Sequence, residues 1–203
     1  SVDWDKCIAH CHYCSKNFFF GKTDKIGYVP KVAYQQPKTE MKGYKKPTKL
    51  TNEEPLDENM RQWFANRGIP AEVAESEGIT KVCRKMPQTE KVEKCIVFPY
   101  RVNGQLVNRK YRDGAKHFML EANAQLVPYR IDHIKETPEC IITEGEMDAL
   151  SFVVAGYDNV ISVPSGAQKN LTYLDDFIES HFENKTRIYI AADTDSKGLE
   201  LRA

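Results

Sequence analysis

The spacing of apolar residues changes along the chain, and each change marks a different kind of element. Residues 1–29 carry an aromatic run, Phe18-Phe19-Phe20, and residues 30–55 are rich in Lys, Pro, Gln and Thr without apolar periodicity. The second stretch reads as a flexible basic linker, because too little apolar surface is available to order it. From Asp57 the spacing becomes helical. Met60, Trp63, Phe64 and Arg67 fall at i, i+3, i+4 and i+7 on one face. Asp57 is placed to cap that helix, Gly68 to end it, Pro70 to start a second and Gly78 to end the second.

After Cys95 the period shortens to that of strands. Cys95–Tyr100 and Leu106–Arg112 flank Asn103-Gly104, a pair suited to a tight hairpin turn. Cys140–Thr143 reads as a short apolar strand running into a helix at Met147–Ala155, which Gly156 ends. Val160–Val163 is another strand, followed by a turn at Pro164-Ser165-Gly166. Leu171–Phe182 has Leu171, Leu174, Phe177 and Ile178 on one stripe and is expected to be a helix. Arg187–Ala192 is a strand whose apolar run Ile188–Ala192 suits a central position in a parallel sheet. Alternation of strand and helix implies right-handed crossovers and a mostly parallel α/β sheet.

Composition narrows the class. The 203 residues suffice for one large or two small domains, and 29% are charged, as in a water-soluble globular chain. No apolar run approaches the length of a membrane span, and Ser1–Lys6 lacks the features of a signal peptide. A cytoplasmic location without membrane partners is therefore expected. The net charge is zero, but residues 118–203 hold fifteen Asp/Glu against seven Lys/Arg, whereas residues 80–117 hold three against ten. Basic segments thus precede an acidic one, and an acidic segment that must meet a phosphate polymer needs cations.

The acidic segment contains Glu144-Gly-Glu-Met-Asp148 and Asp193-Thr-Asp195-Ser-Lys-Gly198. Glu144 and Asp193 each follow a predicted parallel strand, at the strand end where α/β sheets bind ligands. Asp195, two residues on in extended backbone, points the same way as Asp193. Asp148 lies in the first turn of the following helix, where an acid is favourable anyway. Carboxylates about 4 Å apart repel by roughly 4 kcal/mol at an effective dielectric near 20. Hard oxygen ligands so gathered suit Mg²⁺ or Mn²⁺.

This two-part motif, Glu-Gly-Glu-Met-Asp-Ala-Leu and then Asp-Thr-Asp-Ser-Lys-Gly some forty-five residues later, resembles the TOPRIM fold. That fold is shared by bacterial-type primases, phage primase-helicases, type IA and II topoisomerases and some nucleases. The resemblance implies a TOPRIM-like parallel sheet flanked by helices over 140–203. It also implies that Glu144, Asp193 and Asp195, with Asp148 less firmly, are metal-linked catalytic acids. Val163-Pro164-Ser165-Gly166-Ala167 resembles the primase-like branch.

Upstream, strand alternation puts Asn108, Lys110 and Arg112 on one face, and Lys116 follows a turn at Asp113-Gly114. Spacing alone leaves two readings even: a row of cations for triphosphate or template, or a charged sheet edge that discourages aggregation. The stretch resembles the RNA polymerase subdomain of phage primase-helicases, and this implies Lys110 and Lys116, with Arg112, as nucleotide- or template-binding residues. The helical hairpin at 56–79 resembles the segment before that subdomain, giving a small α+β subdomain over 56–139.

Cys11-His12-Tyr13-Cys14 is one zinc knuckle, with Cys7 or His10 as a possible third ligand. In primases a zinc ribbon sits at the amino end, and residues 1–29 resemble its second half, an incomplete Zn²⁺ site. The chain begins just before these cysteines and stops early in a helix expected after Gly198, as a fragment would. The resemblance implies a DNA primase acting on single-stranded DNA and ribonucleoside triphosphates, with a hexameric helicase as domain or partner. The rivals are a degenerate DNA-binding module of a Twinkle-like replicative helicase and a TOPRIM nuclease.

Overall fold

The computed structural model describes residues 43–166, 171–194 and Gly198, together with the backbone of three short strands within residues 1–42. Residues 1–42 and 43–203 are separate units. In the first unit β1 (Val2–Asp3), β2 (Ile8–His10) and β3 (Asn17–Phe19) form an antiparallel meander. Cys7, Cys11 and Cys14, and hence the expected zinc site, lie outside the described residues.

The second unit opens with two short helices, α1 (Glu58–Ala65) and α2 (Ala71–Ser76). Asp57 caps α1 by accepting from the Met60 N–H at 3.1 Å. Gly68 and Gly78, both at positive φ, turn the chain out of each helix. Four antiparallel strands follow in spatial order: β4 (Thr80–Lys85), β5 (Val92–Val102), β6 (Gln105–Arg112) and β7 (Phe118–Leu120). Asn103 and Gly104, at φ 50° and 73°, make the tight turn between β5 and β6. β4 is a strand although its sequence Thr-Lys-Val-Cys-Arg-Lys carries no strong apolar period.

The two faces of this sheet differ. Val82, Cys95, Val97 and Tyr111 pack with Met86 into a small cluster on one face. Ile96, Phe98 and Tyr100 point from the other face into the main core, which also takes in Phe64, Ile69, Tyr129, Leu150 and Ile161. Burial of such side chains contributes about 1.5–3 kcal/mol each.

The remainder is a parallel three-stranded sheet in the order β10 (Arg187–Ala191), β8 (Glu139–Thr143), β9 (Val160–Ser162). Helix α3 (Glu146–Val154) connects β8 to β9. The α/β architecture expected from the sequence is present, with two differences. β10 lies at the edge of the sheet among the described residues, and Ile188, Tyr189 and Ile190 are exposed rather than enclosed. Thr172–Phe177 is a 3₁₀ segment running into a π-helical turn at Ile178–Phe182, in place of one α-helix. Leu171, Leu174 and Phe177 are spaced by three, which suits 3₁₀ as well as α geometry. The wider turn then brings His181 inward against Phe177, with ring centroids 5.3 Å apart.

One side chain joins the helical hairpin to the parallel sheet. Arg130, buried and at φ 63°, donates to Glu77 after α2 at 3.0 Å and to the backbone carbonyls of Asp158 and Val160 at 3.0 and 3.1 Å.

Candidate functional site

Pairing of β10 with β8 sets Ala191 beside Thr143. The next residues therefore emerge side by side at the carboxyl end of the sheet. The Asp193 backbone N–H donates to Glu144 Oε1 at 2.8 Å. Gly198 closes over this pair: a side chain there would collide with the Asp193 carbonyl and come within 2.7 Å of Glu144 Oε1. Thr143, fully buried, anchors the strand end by donating to the Ile161 carbonyl at 3.1 Å.

Asp148 joins the same group of acids. Burial raises its carboxyl above the ordinary value, and the charges of Asp193, Glu144 and Glu146 raise it further. The side chain still reaches solvent, so water moderates the repulsion. Gly145 makes room for it, since a Cβ at 145 would stand 3.1 Å from Asp148 Oδ2. Asp195 lies outside the described residues. Among the described residues no three His, Cys, Asp or Glu side chains are gathered closely enough to hold an ion alone. The donor chemistry nevertheless fits a hard divalent cation. Carboxylate oxygens crowd one strand end with mutually unfavourable charge, and such ions complete their shell with water and substrate oxygens.

A pocket of about 390 Å³ opens beside these acids, lined by Glu144, Gly145 and Glu146 together with Lys110, Phe118 and Met119 among others. That volume falls within the range of small-molecule sites. Lys110 Nζ lies 2.9 Å from Glu146 Oε1, with both side chains buried. The Tyr100 hydroxyl donates to the same Glu146 oxygen.

Arg112, two residues on and also buried, stacks its guanidinium 4.4 Å from the centre of the Trp63 ring, and Arg67 lies 3.7 Å from that ring. Phe118, 43% exposed, has Lys110 Nζ 5.0 Å from its ring centre and the Arg112 guanidinium at 5.9 Å. Lys110 and Arg112 are therefore not the solvated edge that spacing alone left open, and β7 pairs beyond them. Lys116 is exposed, at φ 67°, in the turn before β7. Asp113 shapes that turn by accepting from the backbone N–H groups of Ala115 and His117, each at 2.9 Å.

Spacing along the chain does not single out Glu146, Tyr100 or Trp63 as parts of this site. The middle acid in Glu-Gly-Glu-Met-Asp is the one available sign of Glu146. The others required knowing which sheet faces meet.

Residues 141–202 match the Toprim-like family. This segment is a Toprim-like domain. It supplies Glu144, Glu146, Asp148 and Asp193, whereas Lys110 and Arg112 come from the sheet before it. The chain is 35% identical over 161 residues to the Primase homolog protein of Arabidopsis thaliana, covering 73% of this chain and 46% of that protein. It is 33% identical over 158 residues to the Twinkle homolog protein, chloroplastic/mitochondrial, of the same plant, covering 71% and 21%. The chain thus spans less than half the length of either curated relative. Among solved structures, the primase fragment of the bacteriophage T7 primase-helicase protein aligns with a TM-score of 0.57 at 19% identity, covering 97% of this chain and 75% of that one. At that identity the likeness concerns the fold. Among the described residues no helix is long and apolar enough to cross a membrane.

Proposed function

We propose that this chain is the RNA polymerase part of a primase or primase-helicase, joining ribonucleoside triphosphates into short primers on single-stranded DNA. The observation that carries the reading is the meeting of Glu144 and Asp193 at adjacent parallel strand ends, with the buried cation Lys110 lining the same pocket as Glu144. Glu144 and Asp193, with Asp148 and Asp195, would hold Mg²⁺ or Mn²⁺. A cation there supplies charge neutralisation for the attacking 3′-hydroxyl and the leaving pyrophosphate. Lys110 offers its ammonium to the triphosphate at the pocket wall, while Arg112 and exposed Lys116 attract the template backbone. The cysteine-bearing amino end is proposed to belong to a Zn²⁺ site that helps select template, and a hexameric helicase to be its domain or partner.

The test incubates the protein with single-stranded template, labelled ribonucleotides and Mg²⁺. Short RNA is expected, with Asp193→Ala at least 100-fold less active. Absence of RNA from the wild type, or equal product from the variant, overturns the reading. The relative named as a Twinkle homolog favours one alternative, a DNA-binding module without synthesis. That alternative predicts template binding with no product under any divalent metal. The organellar location in that relative's name also makes an organelle an alternative to the cytoplasm.

A further inference from the structure

Glu146 differs from the other acids of its motif. Glu144 and Asp148 sit among like charges at the strand end, whereas Glu146 turns away to meet Lys110 and Tyr100. Its carboxylate is 4% exposed at the residue level, and Lys110 is 7% exposed. An ammonium so removed from water is costly unless a carboxylate compensates it. The two come from different sheets: Lys110 from β6, and Glu146 from the start of α3 after β8. Both line the pocket beside Glu144. An ammonium has three donors, and one carboxylate oxygen occupies one of them.

We infer that Glu146 is a positioning residue rather than a metal ligand: it holds the Lys110 ammonium in place at the wall of the nucleotide pocket. Tyr100 supports it by donating to the same oxygen, which fixes the carboxylate rotamer. The inference rests on the primase reading for the identity of the ligand, a nucleoside triphosphate. Without Glu146 the Lys110 side chain would lose its counter-charge and leave the wall. Triphosphate binding would then weaken while the acids at the strand end keep their arrangement.

A double-mutant cycle on the full chain tests this, comparing wild type, Glu146→Gln, Lys110→Met and the pair. Binding of a fluorescent ribonucleoside triphosphate is read at equilibrium with Mg²⁺, and KM and kcat are read separately in primer synthesis. Glu146→Gln is expected to weaken binding and raise KM about tenfold with kcat changed less than threefold. In the Lys110→Met background the same change should add nothing, because Glu146 acts through Lys110. Glu146→Asp should recover part of the affinity, and Tyr100→Phe should lose about threefold. Additive losses, or a fall in kcat with KM unchanged, would overturn the inference. If every variant binds nucleotide as expected but the wild type makes no RNA, the positioning role stands and the primase reading fails. If Glu146→Gln does not fold, Tyr100→Phe carries the test by the same binding measurement.

Discussion

The guanidinium of Arg112 lies 4.4 Å from the centre of the Trp63 ring, joining the first helix of the second unit to the strand that faces the carboxylates. Arg67 lies 3.7 Å from the same ring, so one indole meets two cations. Arg112 is only 8% exposed, and burial together with the nearby charge of Arg67 pulls its proton affinity down. Trp63 thus offsets part of the cost of keeping Arg112 out of water. Replacing Trp63 with Ala is expected to cost about 2–4 kcal/mol of stability, from lost packing and lost cation–π contact. Urea denaturation followed by circular dichroism measures this. The same variant should bind single-stranded DNA less tightly, and Trp63→Phe should restore most of both losses.

Gly198 offers a separate test of the acid cluster. Any side chain there must push against the Asp193 carbonyl and Glu144 Oε1. Gly198→Ala should therefore separate Glu144 from Asp193 and reduce metal-dependent activity at least tenfold. The melting temperature should change by less than about 3 °C, since the clash lies at a strand end rather than in the core. Activity equal to wild type would show that the strand end tolerates displacement.

Burial raises the Asp148 carboxyl, and the like charges around it add to the effect. Its carboxyl is raised in the folded protein, so ionising it opposes folding once the pH exceeds the unfolded-state value. Asp148→Asn should consequently stabilise the metal-free protein near neutral pH, by about 1–3 °C in melting temperature given the solvent contact of this side chain. The gain should shrink at saturating Mg²⁺, because the cation relieves the same repulsion. Calorimetry with and without metal distinguishes this from a general effect of the substitution.

Asp113 gives the opposite sign. Burial alone would raise its carboxyl, but hydrogen bonds from the His117 backbone, the His117 ring and the Ala115 backbone outweigh it and hold it below 3.8. The unfolded chain then binds the proton more readily than the folded one. The stabilisation is complete above the unfolded value of about 3.9 and is lost as pH falls through the lower folded value. Asp113→Asn should lower stability at pH 6, and the difference should shrink as the pH falls through the lowered folded value. A melting-temperature series across that range reads the difference, and parallel curves would refute it.

Much of this could be read from the chain. Gly68, Gly78 and Asn103-Gly104 announced their turns because each needs a left-handed backbone, and the structure gives them one. The acids were legible because carboxylates at parallel strand ends are a local pattern. The burial of Lys110 and Arg112 was not legible, since alternation tells which residues share a face but not what covers it. Here α1 and α3 cover that face, and their placement depends on contacts distant in sequence. The exposure of Ile188, Tyr189 and Ile190 was hidden for the same reason: an apolar run reports a preference for burial, not the neighbours that satisfy it.

Arg130 has a consequence for how the chain can be divided. Its donors reach Glu77 in one direction and the carbonyls of Asp158 and Val160 in the other. Cutting the chain before residue 140 would remove the guanidinium from the strand it braces and leave those carbonyls to water. The same cut would strip Glu146 of both Lys110 and Tyr100. The Toprim-like segment is therefore not a portable part: grafted elsewhere, it would carry its acids along but leave Glu146 buried without the ammonium that balances its charge.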